Sequence, residues 1–169
     1  MSHHYPKGVL AVKDGCGAEY KLMRLRECPL EHAMCDTPER AVAFWRANIQ
    51  TAQWFDTEKE CFCVIFLNTR RAITGFTLVS LGGLDSCIAA PREVFRTAIV
   101  GGAAAIILAH NHPSGDPTPS EADVKVTRDL IRGGQLLKVE VLDHVILGST
   151  AGGRTKDWSS LRELGYFYA

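Results

Sequence analysis

The segment from Ala103 to Arg132, AAAIILAHNHPSGDPTPSEADVKVTRDLIR, constrains this chain more than any other. A short apolar run ends in His110, Asn111 and His112, crosses a loop dense in proline, glycine and serine, and enters a strongly patterned helix. Strand, loop and helix follow in that order, inside a chain whose other runs also alternate between strand-like and helix-like. This alternation predicts an α/β single-domain fold, a mixed β-sheet flanked by helices.

The side-chain periods of this segment bring three metal-ligating residues together. His110 and His112 stand two apart at the end of an extended run, so both imidazoles leave the same side of the strand and can reach one ion. In the helix that follows, Thr118, Pro119 and Glu121 fit the N-cap, N1 and N3 positions of a capping box. Glu121, Lys125, Arg128 and Arg132 then form a charged face, opposite Val126, Thr127 and Leu130. Asp123 falls on the apolar face, where a carboxylate is costly unless it is paired or bound to a cation. Ser120, one turn earlier, shares that face and is placed to hydrogen-bond whatever occupies the site. Imidazole and carboxylate together suit zinc, which in catalytic sites commonly keeps three protein ligands and a water. A purely structural reading competes: the histidines can bond a loop, and Ser120 with Asp123 can itself be a capping box. The coincidence of all three residues favours the metal site.

The remaining chain supplies the scaffold. Residues 1–36 read as an N-terminal arm with a possible strand from Tyr20 to Glu27. Thr37-Pro38 opens a helix through about residue 53, with Phe44 and Trp45 on its buried face. CFCVIFLN is a near-continuous apolar run of the central-strand kind, joined through the polar turn Asn68–Arg71 to a second strand over about 72–81. Pro91 opens a helix to Val100, with Gly101-Gly102 where a left-handed cap wants glycine. Gly133-Gly134 is expected to close the helix after the histidines, ahead of a strand over 138–147. A short helical pattern is expected at 159–164.

Composition excludes several classes of function. Lys plus Arg equal Asp plus Glu at 19 each, so no bulk charge draws the chain to nucleic acid. Arg24, Arg26, Arg70, Arg71, Arg92 and Arg96 are candidates for a DNA-facing patch, and a solvated surface is the simpler fate for them. No run reaches the roughly 20 apolar residues that span a bilayer. The opening MSHHYPKG lacks the order of a secretory signal, so a cytoplasmic location is expected, with no membrane partner. Six cysteines include no C-x-x-C pair, and Cys61 and Cys63 are expected to face one side of a strand as small hydrophobes.

H-x-H, seven residues, Ser, two residues and Asp together resemble the motif of the JAMM (MPN+) metalloproteases. The longer string LAHNHPSGDPTPSEAD, with FLN before it, PREV at 91–94 and LDHVILG at 142–148, is similar to the RadC family (UPF0758), a bacterial branch of JAMM. The likeness covers about Thr37 to Gly148. It implies a cytidine-deaminase-like (JAB/MPN) fold for residues 37–169, with a zinc ion held by His110, His112, Asp123 and a water. It also implies hydrolysis of a peptide or isopeptide bond in an unidentified peptide or protein substrate. By the same resemblance Ser120 supports the oxyanion and a glutamate at a strand edge is the general base. Glu60 matches that placement best, Glu93 next and Glu58 third. Longer family members carry an N-terminal helix-hairpin-helix-like region. About 36 residues precede the first helix here, which resembles the short forms associated with mobile elements. A DNA-binding role in repair or recombination is the alternative function. Zinc deaminase chemistry is disfavoured, because no H-x-E with P-C-x-x-C is present. Asp143 and His144 fit either a role behind the metal ligands or the end of a strand, and take no assignment.

Overall fold

The computed structural model describes residues 34–82, 89–151 and 153–168. Residues 1–33 of the arm, with the strand expected at 20–27, lie outside the described residues, as do residues 83–88. The apolar run becomes β1 (Glu60–Leu67), buried from Cys61 onward because both of its faces are covered. It pairs antiparallel with β2 (Ile73–Gly82) on one side and with β3 (Ala105–Asn111) on the other. β3 runs parallel to β4 (Glu140–Leu147), which pairs antiparallel with β5 (Trp158–Ser160). The result is one mixed sheet in the order β2-β1-β3-β4-β5. The hairpin between β1 and β2 turns on Asn68, whose Oδ1 accepts from the amides of Arg70 and Ala72 at 2.9 and 3.1 Å.

Strand alternation sorts the core into two layers. Cys61, Cys63, Ile65 and Leu67 face α1 (Pro38–Phe44) and the π-helical turn Trp45–Ile49 that extends it. Phe62, Val64 and Phe66 face the other way, against Val94, Phe95 and Ala98 of α2 (Pro91–Val100) and Leu130 of α3 (Glu121–Leu137). On β3, Ala105, Ile107 and Ala109 lie on the α1 side and Ile106 and Leu108 on the α3 side. The same alternation carries His110 to the α3 side.

Several element ends differ from expectation. The first helix stops near Ile49 rather than 53, after its last turn widens and the Gln50 amide bonds back to the Trp45 carbonyl. The Gly101-Gly102 pair does end α2 as expected, with Gly102 in the left-handed conformation at φ 64°. The N-cap of α3 is Ser120, not Thr118, because Ser120 and Asp123 form the complete capping box. α3 also runs through Gly133-Gly134 to Leu137, with Lys138 as the left-handed cap at φ 58°. These glycines are packing sites: a Cβ on Gly134 would run into the Val139 carbonyl oxygen, and one on Gly133 would lie 2.8 Å from the Phe95 ring. The helical pattern expected at 159–164 yields instead to β5 and a turn, since the buried Trp158 and Ser160 pair with Leu147 and Val145. Among the described residues no helix is long and apolar enough to cross a membrane.

Candidate metal centre

His110 sits in β3 with no exposure to solvent, directly across the ladder from Phe62, whose ring stacks on it at 5.8 Å. His112 lies one residue beyond the strand, held by its amide on the Leu147 carbonyl at 2.8 Å. Their Nε2 atoms face each other at 3.0 Å. Asp123, at N3 of α3 and 8% exposed, places Oδ1 3.2 Å from His110 Nε2 and Oδ2 3.5 Å from His112 Nε2. Its Oδ2 also accepts from the amide and hydroxyl of Ser120, at 2.7 and 2.6 Å. The capping box and the His110–His112–Asp123 cluster therefore share one carboxylate, so the two competing sequence readings are compatible.

The hydrogen-bond partners of each ring determine which nitrogen faces the cluster. His112 Nδ1 is 2.7 Å from the Asp116 carbonyl oxygen, which can only accept, so Nδ1 carries the proton and Nε2 of the neutral ring offers a lone pair. His110 Nδ1 is engaged by His144 Nε2 at 2.8 Å, which leaves Nε2 as the nitrogen facing the cluster. Ligands about 2.0–2.1 Å from a tetrahedral ion are about 3.3 Å apart, close to the 3.0 Å between the two Nε2 atoms and the 3.2 Å from His110 Nε2 to Asp123 Oδ1, while His112 Nε2 lies 3.5 Å from the other oxygen, Oδ2. His110, His112 and Asp123 can hold a metal ion.

Electrostatics agree with a site built for positive charge. Burial opposes ionisation of Asp123, but hydrogen bonding to His110, His112 and Ser120 outweighs it and holds the carboxyl well below its usual range. Burial likewise opposes a charged His112, yet bonding to Asp123 and to the Asp116 carbonyl raises its pKa. A proton here does what a cation would do.

The register of β1 against β3 sets Phe62 opposite His110 and brings Glu60 to the same end of the sheet, with Oε1 3.8 Å from His110 Nε2. Burial raises the Glu60 pKa, against the opposing pull of the two histidines. Of the other two candidates, Glu93 pairs on α2 with Arg96 and Arg92 at 2.6 and 3.4 Å, and Glu58 is exposed in the turn before β1. Asn111 reaches across to clamp the backbone on both sides of Glu60, accepting from the Cys61 amide and donating to the Lys59 carbonyl, both at 2.9 Å.

Sequence reasoning missed Asn111, Asp116 and Thr127, and left His144 open. The strand parity of LDHVILG puts Asp143 and His144 on opposite faces, and the fold places only His144 beside the cluster. Of the candidate DNA-facing arginines, Arg71 pairs with Glu140 at 2.8 Å and Arg92 and Arg96 pair with Glu93. Arg24 and Arg26 lie outside the described residues.

A mixed sheet that delivers two histidines from a strand end to an aspartate on the next helix is a JAB/MPN-type arrangement. The chain belongs to the RadC family: the model of the RadC-like JAB domain matches residues 35–166. A UPF0758 protein of Moorella thermoacetica is 55% identical over 91 residues, which are 54% of this chain and 40% of that one. One from Caldanaerobacter subterraneus is 49% identical over 109 residues, 64% of this chain and 44% of the relative. One from Thermosynechococcus vestitus is 38% identical over 136 residues, 80% and 50% of the two chains. The chain thus spans half or less of the length of these relatives.

Proposed function

We propose that this protein is a zinc-dependent hydrolase of peptide or isopeptide bonds, with residues 37–169 as its JAB/MPN domain, residues 1–36 as an arm, and the cytoplasm as its location. The observation that supports this reading is the convergence of two imidazole nitrogens and an ionised carboxylate, with the half-buried Glu60 3.8 Å from one of the nitrogens. When bound, zinc supplies a Lewis acid that polarises a carbonyl and lowers the pKa of water toward about 7. His110, His112 and Asp123 are its holders. Glu60 takes the proton of the attacking water and returns it to the leaving amine, a role that its raised pKa suits. Ser120 supports the oxyanion, for which its hydroxyl proton turns away from Asp123 Oδ2. A DNA-binding role draws less support, since Arg71, Arg92 and Arg96 already have carboxylate partners.

The test is the metal content of purified protein together with a peptide-library cleavage screen. The wild type should retain about one zinc per chain. Glu60→Gln should keep the zinc and lose hydrolysis by about 10²–10⁴-fold. A wild type without zinc, or a Glu60→Gln protein that cleaves normally, would refute the assignment.

A further inference from the structure

His144 is fully buried on β4, the strand beside His110, and the chemistry above gives it no task. Its surroundings determine where its proton sits. The Thr127 hydroxyl lies 2.6 Å from the Asp123 carbonyl oxygen and 2.6 Å from His144 Nδ1. A carbonyl oxygen only accepts, so the single hydroxyl proton goes there. The hydroxyl oxygen must then accept from His144, which requires the proton on Nδ1. The neutral ring has no second proton, so its Nε2 offers a lone pair to the atom that faces it, His110 Nδ1 at 2.8 Å. His110 consequently carries its proton on Nδ1 and turns a bare Nε2 toward His112 and Asp123.

We infer that Thr127 and His144 are positioning residues that fix the tautomer and ring orientation of His110, so that Nε2 is its metal-binding atom. This rests on the reading of His110 as a ligand. The donors all point one way, from His110 through His144 and Thr127 to the backbone of Asp123, so α3 supplies the third ligand and also anchors the first. His112, at the loop, needs only the Asp116 carbonyl for the same purpose. His110 is buried in the strand, and two side chains make that connection instead. Partners of this kind behind a ligating histidine commonly change metal affinity by about 10–100-fold.

Long-range proton–nitrogen correlation spectra of the full chain without metal, recorded above the histidine titration range, report which ring nitrogen is protonated. Both His110 and His144 should carry the proton on Nδ1. Thr127→Val keeps the side-chain shape but removes the acceptor. His144 should then protonate on Nε2 and donate to His110, whose own proton moves to Nε2, where zinc must displace it. Zinc affinity, measured by chelator competition, should fall about 10–100-fold in Thr127→Val and His144→Phe. Thr127→Ser should restore both the spectrum and the affinity, which a role in packing alone would not produce. A wild-type His110 protonated on Nε2, or wild-type affinity in a folded Thr127→Val protein, overturns the inference. If the wild type binds no zinc, the metal reading fails, and the spectra still decide the tautomer.

Discussion

Two buried aspartates stand on opposite faces of the sheet and do opposite things. Asp143, 5% exposed, accepts from the His144 amide at 2.7 Å, the Ser160 hydroxyl at 2.6 Å and the Arg162 amide at 3.2 Å. Every one of these neighbours brings its own proton. Burial raises the Asp143 pKa and those donors only partly offset it. Asp123 is almost as buried and also accepts from an amide and a hydroxyl, those of Ser120, yet it faces the Nε2 atoms of His110 and His112 at 3.2 and 3.5 Å as well, and its carboxyl is held well below the usual range. Burial of a carboxylate therefore does not mark a cation site. What sets Asp123 apart is the pair of imidazole nitrogens that faces it, where Asp143 meets only amides and a hydroxyl.

Substitutions can break this contrast. The largest effect is expected from Asp123→Ala, which should reduce retained metal from about one ion per chain to none, as read by elemental analysis after dialysis. Asp143→Ala should keep its metal and instead lose about 1–3 kcal/mol of folding stability in denaturant titrations, because buried donors lose their acceptor. Loss of metal from Asp143→Ala would erase the distinction.

The smallest expected effect is in the pH response of Asp143→Asn. The folded pKa of Asp143 lies above the value of about 3.9 for an unfolded aspartate. Its contribution is therefore full below that value and is lost as pH rises through the folded pKa. Asparagine does not ionise and escapes the loss. The stability difference between variant and wild type should accordingly shift toward the variant as pH is raised from about 3 to 7, followed by thermal melts. A pH-independent difference would mean that Asp143 ionises as easily folded as unfolded.

Much of the scaffold was legible because it follows local periods. The near-continuous apolar runs at β1 and β3 are buried on both faces as their composition requires. The proline starts of α1 and α2 fall where expected. The errors came where two local signals competed. Thr118-Pro119-x-Glu121 and Ser120-x-x-Asp123 both spell a helix start, and only the second is closed by side-chain bonds. Gly133-Gly134 spells a helix stop, but close packing against Phe95 and Val139 keeps both glycines inside α3.

The sequence alone determined which three residues come together, since a period of two puts His110 and His112 on one side of a strand and a helical period puts Asp123 on the buried face. A side chain's direction relative to its own element is local information. Tertiary structure decided the rest: Glu60 comes to 3.8 Å of His110 through strand register, and His144 meets both His110 and Thr127 across the sheet and α3. The position of a proton depends on what faces it, and here the facing atoms belong to residues far apart in the chain.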